Sequence, residues 1–125
     1  MAGSSDFYIM YDKLFAYQGK DANVFIPSGL KKVGIYAFVN NDKLESVVIP
    51  DTVEEIELCA FEACENLWDV EMWPSVKVIG SGAFRGCHKL EQIRFHGTRA
   101  EWDAIEKDSG WNSYVSSDFK ILFVY

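Results

Sequence analysis

A single period governs this chain. Ile26, Ile49, Met72 and Phe95 follow one another at steps of 23 residues, and Val24, Val47, Val70 and Ile93 keep the same step. So do Leu30, Val53 and Val76; Val33, Ile56 and Ile79; the pairs Ala37-Phe38, Ala60-Phe61 and Ala83-Phe84; and Leu44, Leu67 and Leu90. No insertion interrupts these columns. Self-similarity at a period of this size marks a stack of small units. None can bury its apolar face alone, so neighbours must complete the core.

Each unit reads as a strand, a turn and a compact Ala-Phe segment. In Leu44-Glu45-Ser46-Val47-Val48-Ile49-Pro50, Val47 and Ile49 alternate with period two, as in a strand with one buried face. Pro27 and Pro50 end their strands because proline lacks the ladder N–H. The run Val53-x-x-Ile56-x-x-x-Ala60-Phe61-x-x-Cys64-x-x-Leu67-x-x-Val70 resembles the BspA-like, Treponema-type leucine-rich repeat, as does Ala83-Phe84-Arg85-Gly86-Cys87-His88-Lys89-Leu90. The resemblance implies a β-rich, leucine-rich-repeat-type solenoid of about three 23-residue repeats with parallel strands over residues 24–97.

The flanks read as caps. Residues 6–23 form the N-terminal one, with 7–17 as a hairpin turning at Asp12-Lys13. Residues 98–125 form the C-terminal one. There Thr98-Arg99-Ala100-Glu101 is a capping box. Ala100, Trp102, Ala104 and Ile105 offer a helix an apolar side ending near Gly110, and Phe119 to Tyr125 closes as a strand. Residues 6–125 are thus expected to form one complete domain, with 1–5 a disordered tail or an expression scar.

Charge and cysteine content narrow the function. With 12 basic against 19 acidic residues, a net charge of −7 disfavours direct nucleic-acid binding, which needs a basic surface. No stretch is long and apolar enough for a membrane span. Met1 to Ser5 carries no signal features, so the expectation is cytoplasmic as given, or cell surface if a leader was removed. Cys59, Cys64 and Cys87 are odd in number, which does not suit a disulfide framework. With His88 they lack zinc spacing, so neither metal nor cofactor is expected. Cys64 and Cys87 share a column below Asn41, and the resembling family carries a structural cysteine there. Gly80 to Gly86 is neither a dinucleotide nor a P-loop motif. A Cys87–His88 dyad for a thiol-dependent hydrolase is the least favoured reading, and the chain is read as a non-enzyme.

The favoured reading is a protein-interaction module. Alternating Cβ directions put two ladders on one concave strand face: Ser46, Asp69 and Gln92, then Phe25, Val48, Glu71 and Arg94. Glu45, Trp68 and Glu91 flank one side, and Pro27, Pro50, Trp73 and His96 the other. The candidate binding residues are Ser46, Val48, Trp68, Asp69, Glu71, Trp73, Gln92 and Arg94. Tryptophan and arginine dominate interface hot spots. The bland alternative packs the tryptophans over a repeat edge and leaves the rest as a solvated face.

The resemblance implies a bacterial or protist-type interaction protein, often displayed on cell surfaces and used in adhesion; an adaptor role suits the same face. A second reading starts from the interval between Lys43 and Lys77, which has no Lys or Arg but carries nine acidic residues. Such a middle repeat suits an intracellular inhibitor or nucleic-acid mimic that docks a basic partner. Strand 119–125 also offers an edge for self-association.

Overall fold

Each 23-residue step folds into one coil, and each coil carries two short strands rather than one. The computed structural model describes residues 6–124. In chain order the elements are β1 (Phe7–Met10), β2 (Lys13–Tyr17), β3 (Asn23–Phe25), β4 (Lys32–Val33), β5 (Ser46–Val48), β6 (Glu55–Ile56), β7 (Asp69–Met72), β8 (Val78–Ile79), β9 (Gln92–Phe95), α1 (Arg99–Asp103), β10 (Glu106–Lys107) and β11 (Lys120–Phe123). They build a five-stranded sheet, β11-β9-β7-β5-β3, and a six-stranded sheet, β1-β2-β4-β6-β8-β10. Apart from the antiparallel β1–β2 pair, both ladders are parallel.

Register explains the period. Val24 pairs with Val47, Val47 with Val70, and Val70 with Ile93, each one step apart. In the second sheet Val33, Ile56 and Ile79 do the same. Sequence columns therefore become neighbours on adjacent strands, at the roughly 4.8 Å spacing of a sheet. All these residues are buried.

The solenoid makes about four turns, one more than the sequence implied. The C-terminal segment is itself a coil, because β11 pairs with β9 and β10 with β8. Its step is 28 (Gln92 to Lys120, Val78 to Glu106), five more than the others. Helix α1 lies between β9 and β10, in the connection that is lengthened. Its capping box is formed: Thr98 accepts from the Glu101 N–H while the Glu101 carboxylate accepts from Thr98 N–H. The helix stops at Asp103 rather than near Gly110, because the chain must return to the second sheet at Glu106. Trp102 and Ile105 are buried, whereas Ala100 and Ala104 face solvent. Lys107 then donates to the freed carbonyls of Trp102 and Ile105 at 2.8 and 2.9 Å.

At the other end, the β1–β2 hairpin turns at Tyr11-Asp12 and extends the six-stranded sheet, since β2 pairs with β4. Tyr125 and residues 1–5, assigned above to a closing strand and a tail, lie outside the described residues. Among the described residues no helix is long and apolar enough to cross a membrane.

Between the sheets runs an aromatic column. Tyr17, Phe38, Phe61 and Phe84 stack with centroids 5.1, 4.7 and 5.0 Å apart and planes tilted by 28°, 13° and 2°. Phe7 and Trp111 close its two ends by tilted and edge-on contacts. The turns beside this column use the left-handed region at two repeating positions: Tyr36, Cys59 and Gly82, then Asn40, Ala63 and Gly86. Only two of these six are glycine, so the packing offsets roughly 1 kcal/mol of strain at each of the other four.

Phe61 has a ring on either side, so its loss cannot be filled from one direction. Phe61→Ala is expected to lower unfolding stability by about 3–5 kcal/mol, read from urea denaturation.

Candidate functional site

The outer face of the five-stranded sheet carries most of the residues that sequence reasoning selected. Ser46, Asp69 and Gln92 occupy one outer row, and Val48, Glu71 and Arg94 the other. Opposite charges one coil apart are thereby forced side by side, and they engage one another. Arg94 grips Asp69 with two parallel hydrogen bonds, Nε to Oδ1 at 2.9 Å and Nη2 to Oδ2 at 2.8 Å. Gln92 adds a third at 3.0 Å. Arg94 also reaches Glu71 at 3.2 Å, and Glu71 meets His96 Nε2 at 2.5 Å. His96 in turn stacks on Trp73, centroids 4.4 Å apart and planes within 9°. Ser46 donates to Asn23 at 2.6 Å.

These side chains form one preordered network rather than separate solvated readers. Asp69 is only 6% exposed. Burial alone would raise its carboxyl, but the hydrogen bonds from Arg94 and Gln92 outweigh burial and hold it below the usual carboxylate range. Trp73 is half-buried beside His96. Trp68 stands apart, just before β7 and exposed, on the rim of a cleft of about 560 Å³. Two features of the same surface lie outside the selected set: Phe25, 72% exposed beside Val48, and the half-buried His96. Both sit in columns visible in the sequence, but the stacking of His96 is not.

The acidic middle repeat takes a different form in space. Glu54 pairs with Lys31 at 3.5 Å, Glu55 with Lys32 at 3.8 Å, Glu57 with Lys13 at 3.1 Å and Glu62 with Arg85 at 3.7 Å. Lys31, Lys32 and Arg85 lie one coil from their partners, and Lys13 reaches Glu57 across two, since β2 pairs with β4 and β4 with β6. A run of carboxylates along the chain thus becomes rows of alternating sign across the coils.

The thiols are structural. Cys64 and Cys87 are fully buried and donate to the carbonyls of Phe38 and Phe61 at 3.0 and 3.1 Å. The neighbouring Cys87, and then burial, push the Cys64 thiol well above its ordinary range. His88 is exposed while Cys87 is buried, so this pair does not form a dyad open to substrate. Among the described residues no three His, Cys, Asp or Glu side chains gather as a metal site.

A family model described as BspA type leucine rich repeat region matches residues 8–109, in six copies. No curated protein matches the chain. A solved leucine-rich repeat protein from Bacteroides capillosus superposes with a TM-score of 0.72 at 20% identity, over 95% of this chain and 93% of that one. Another, from Bacteroides ovatus, gives a TM-score of 0.61 at 21% identity over 90% of this chain, which spans only 32% of that protein's length. These likenesses show the fold.

Two outcomes follow from the geometry. Because the Asp69 carboxyl is depressed in the folded state, its contribution is full above the ordinary carboxylate value and is lost as pH falls through the folded one. Urea midpoints between about pH 5 and pH 2 should therefore fall more steeply for the native chain than for Asp69→Asn. Under native conditions, Cys64 and Cys87 should react with an aromatic disulfide reagent only as fast as the protein opens; rapid labelling of Cys87 would restore the thiol-enzyme reading.

Proposed function

The chain belongs to the BspA-type leucine-rich repeat family, and from that membership we propose that it is a protein-binding module whose contact surface is the outer face of the five-stranded sheet. Repeat scaffolds of this family serve in general as interaction modules rather than enzymes. The observation that carries the assignment is the state of this face. Its polar side chains are already locked by one another, from Gln92 through Asp69, Arg94 and Glu71 to His96. Beside them lies exposed apolar surface at Phe25, next to the half-buried Val48, with Trp68 on the rim. A face that needs little reordering on contact keeps more of its interaction energy as affinity.

Within this reading Phe25, Val48 and Trp68 make the contact. Ser46, Asp69, Glu71, Trp73, Gln92 and Arg94 shape the surface and present polar edges. Adhesion and adaptor roles both use such a face, with the partner a protein in either case. The decoy reading has less support, because Lys31, Lys32, Lys13 and Arg85 offset much of the acidic coil.

The test pairs the native chain with a Phe25→Ser/Val48→Ser variant of unchanged unfolding midpoint in affinity capture followed by titration of the captured protein. Loss of about thirtyfold in affinity, the size of a hot-spot deletion, is expected. A partner held equally by both proteins moves the contact surface off this face.

A further inference from the structure

Beside the starts of β5, β7 and β9 lies the cleft of about 560 Å³, lined in part by Glu45, Asn66, Trp68, Lys89, Glu91 and Asp118. Its axis is the column Glu45–Trp68–Glu91. The Trp68 N–H donates to the Glu45 carbonyl at 2.9 Å and the Glu91 N–H to the Trp68 carbonyl at 3.0 Å, so these are successive rungs of the solenoid. Two properties coincide in this column. Trp68 is 42% exposed in a molecule whose other three tryptophans are buried or half-buried. The carboxylates of this column also lack a cation one coil away. Glu54, Glu55, Glu62 and Glu71 each meet a cation one coil away, whereas Glu45 and Glu91 have an indole between them. No ion pair among the described residues uses Glu45, Glu91 or Asp118. Lys89, which also lines the cleft, donates to Asn66 Oδ1 at 2.9 Å.

An exposed indole between two carboxylates that form no ion pair has a definite chemical complement. Alternate rungs lie roughly 9.5 Å apart, so a planar cation centred on Trp68 comes within reach of Glu45 on one side and Glu91 on the other. A guanidinium stacks flat on an indole and directs N–H groups outward in its own plane; an ammonium is a point charge that does neither. The geometry points to an arginine-binding cleft: Trp68, Glu45 and Glu91, with Asp118 adding charge, receive the guanidinium of an arginine side chain presented by a partner protein. This rests on the protein-binding reading above and adds the chemistry the partner must carry. A neutral sugar would use the indole face but leave the carboxylates uncompensated.

The test titrates the whole chain with a capped Gly-Arg-Gly peptide and with its citrulline counterpart, a neutral isostere. The readout is the Trp68 indole N–H resonance, assigned by its disappearance in Trp68→Leu. The arginine peptide should shift that resonance saturably, the citrulline peptide at least tenfold more weakly, and Glu45→Gln/Glu91→Gln should weaken the arginine response at least tenfold. Absence of a saturable shift, equal response to citrulline, or indifference to the two Gln substitutions would overturn the assignment. So would a neutral oligosaccharide that saturates the Trp68 signal in native and Gln variants alike. The Phe25→Ser/Val48→Ser variant should keep the peptide response, so a failure of the sheet face and a failure of the cleft are told apart. Unfolding midpoints of the variants confirm that these exposed substitutions leave the fold in place.

Discussion

The parallel register between successive coils is the constraint from which the rest of the molecule follows. Once Val47 is paired between Val24 and Val70, every other residue of the coil has its neighbours assigned. Phe61 must lie between Phe38 and Phe84, and their rings stack along the interior. Cys64 and Cys87 must sit in adjacent turns, where each thiol reaches the carbonyl of a phenylalanine on the preceding coil. Arg94 must lie beside Glu71 and close to Asp69. The outer network and the buried column are two readings of the same register, one on each side of the strand.

That logic explains what was legible in the sequence. The buried columns were, because apolar identity at fixed steps survives in the one-letter string. So was the membership of the outer rows, since alternation along a strand assigns it. The second sheet was not: β4, β6 and β8 are two residues each, too short for period two to show. The fourth coil was hidden by five inserted residues, and by the replacement of its core markers. Lys107 stands beside Ile79, and Trp111 accepts from Phe84 N–H as Ala83 accepts from Phe61 N–H.

Electrostatics were the least legible of all. A carboxylate-rich stretch such as residues 45–71 reads as an acidic patch when its neighbours are taken along the chain. Its physical neighbours lie a full coil away, on Lys31, Lys32 and Arg85. The same rearrangement turned Asp69, Glu71 and Arg94 from three independent polar contacts into one network. The Glu45–Trp68–Glu91 column stands out because it joins carboxylates without this compensation to an exposed indole.

The ion pairs also carry information that the apolar columns lack. With nearly identical cores, the coils are interchangeable in shape; they are not interchangeable in charge. Excising the coil 46–68 would leave valines, isoleucines and phenylalanines in register, yet it would set Lys31 beside Lys77 and remove the partners of Lys13, Lys32 and Arg85. Repeating that coil would place Glu54 beside a second Glu54. Apolar columns therefore fix how a coil stacks, and charges fix which coil it stacks on. In a gene that grows and shrinks by whole repeats, such a code makes the order of the units, as well as their number, a property on which selection can act.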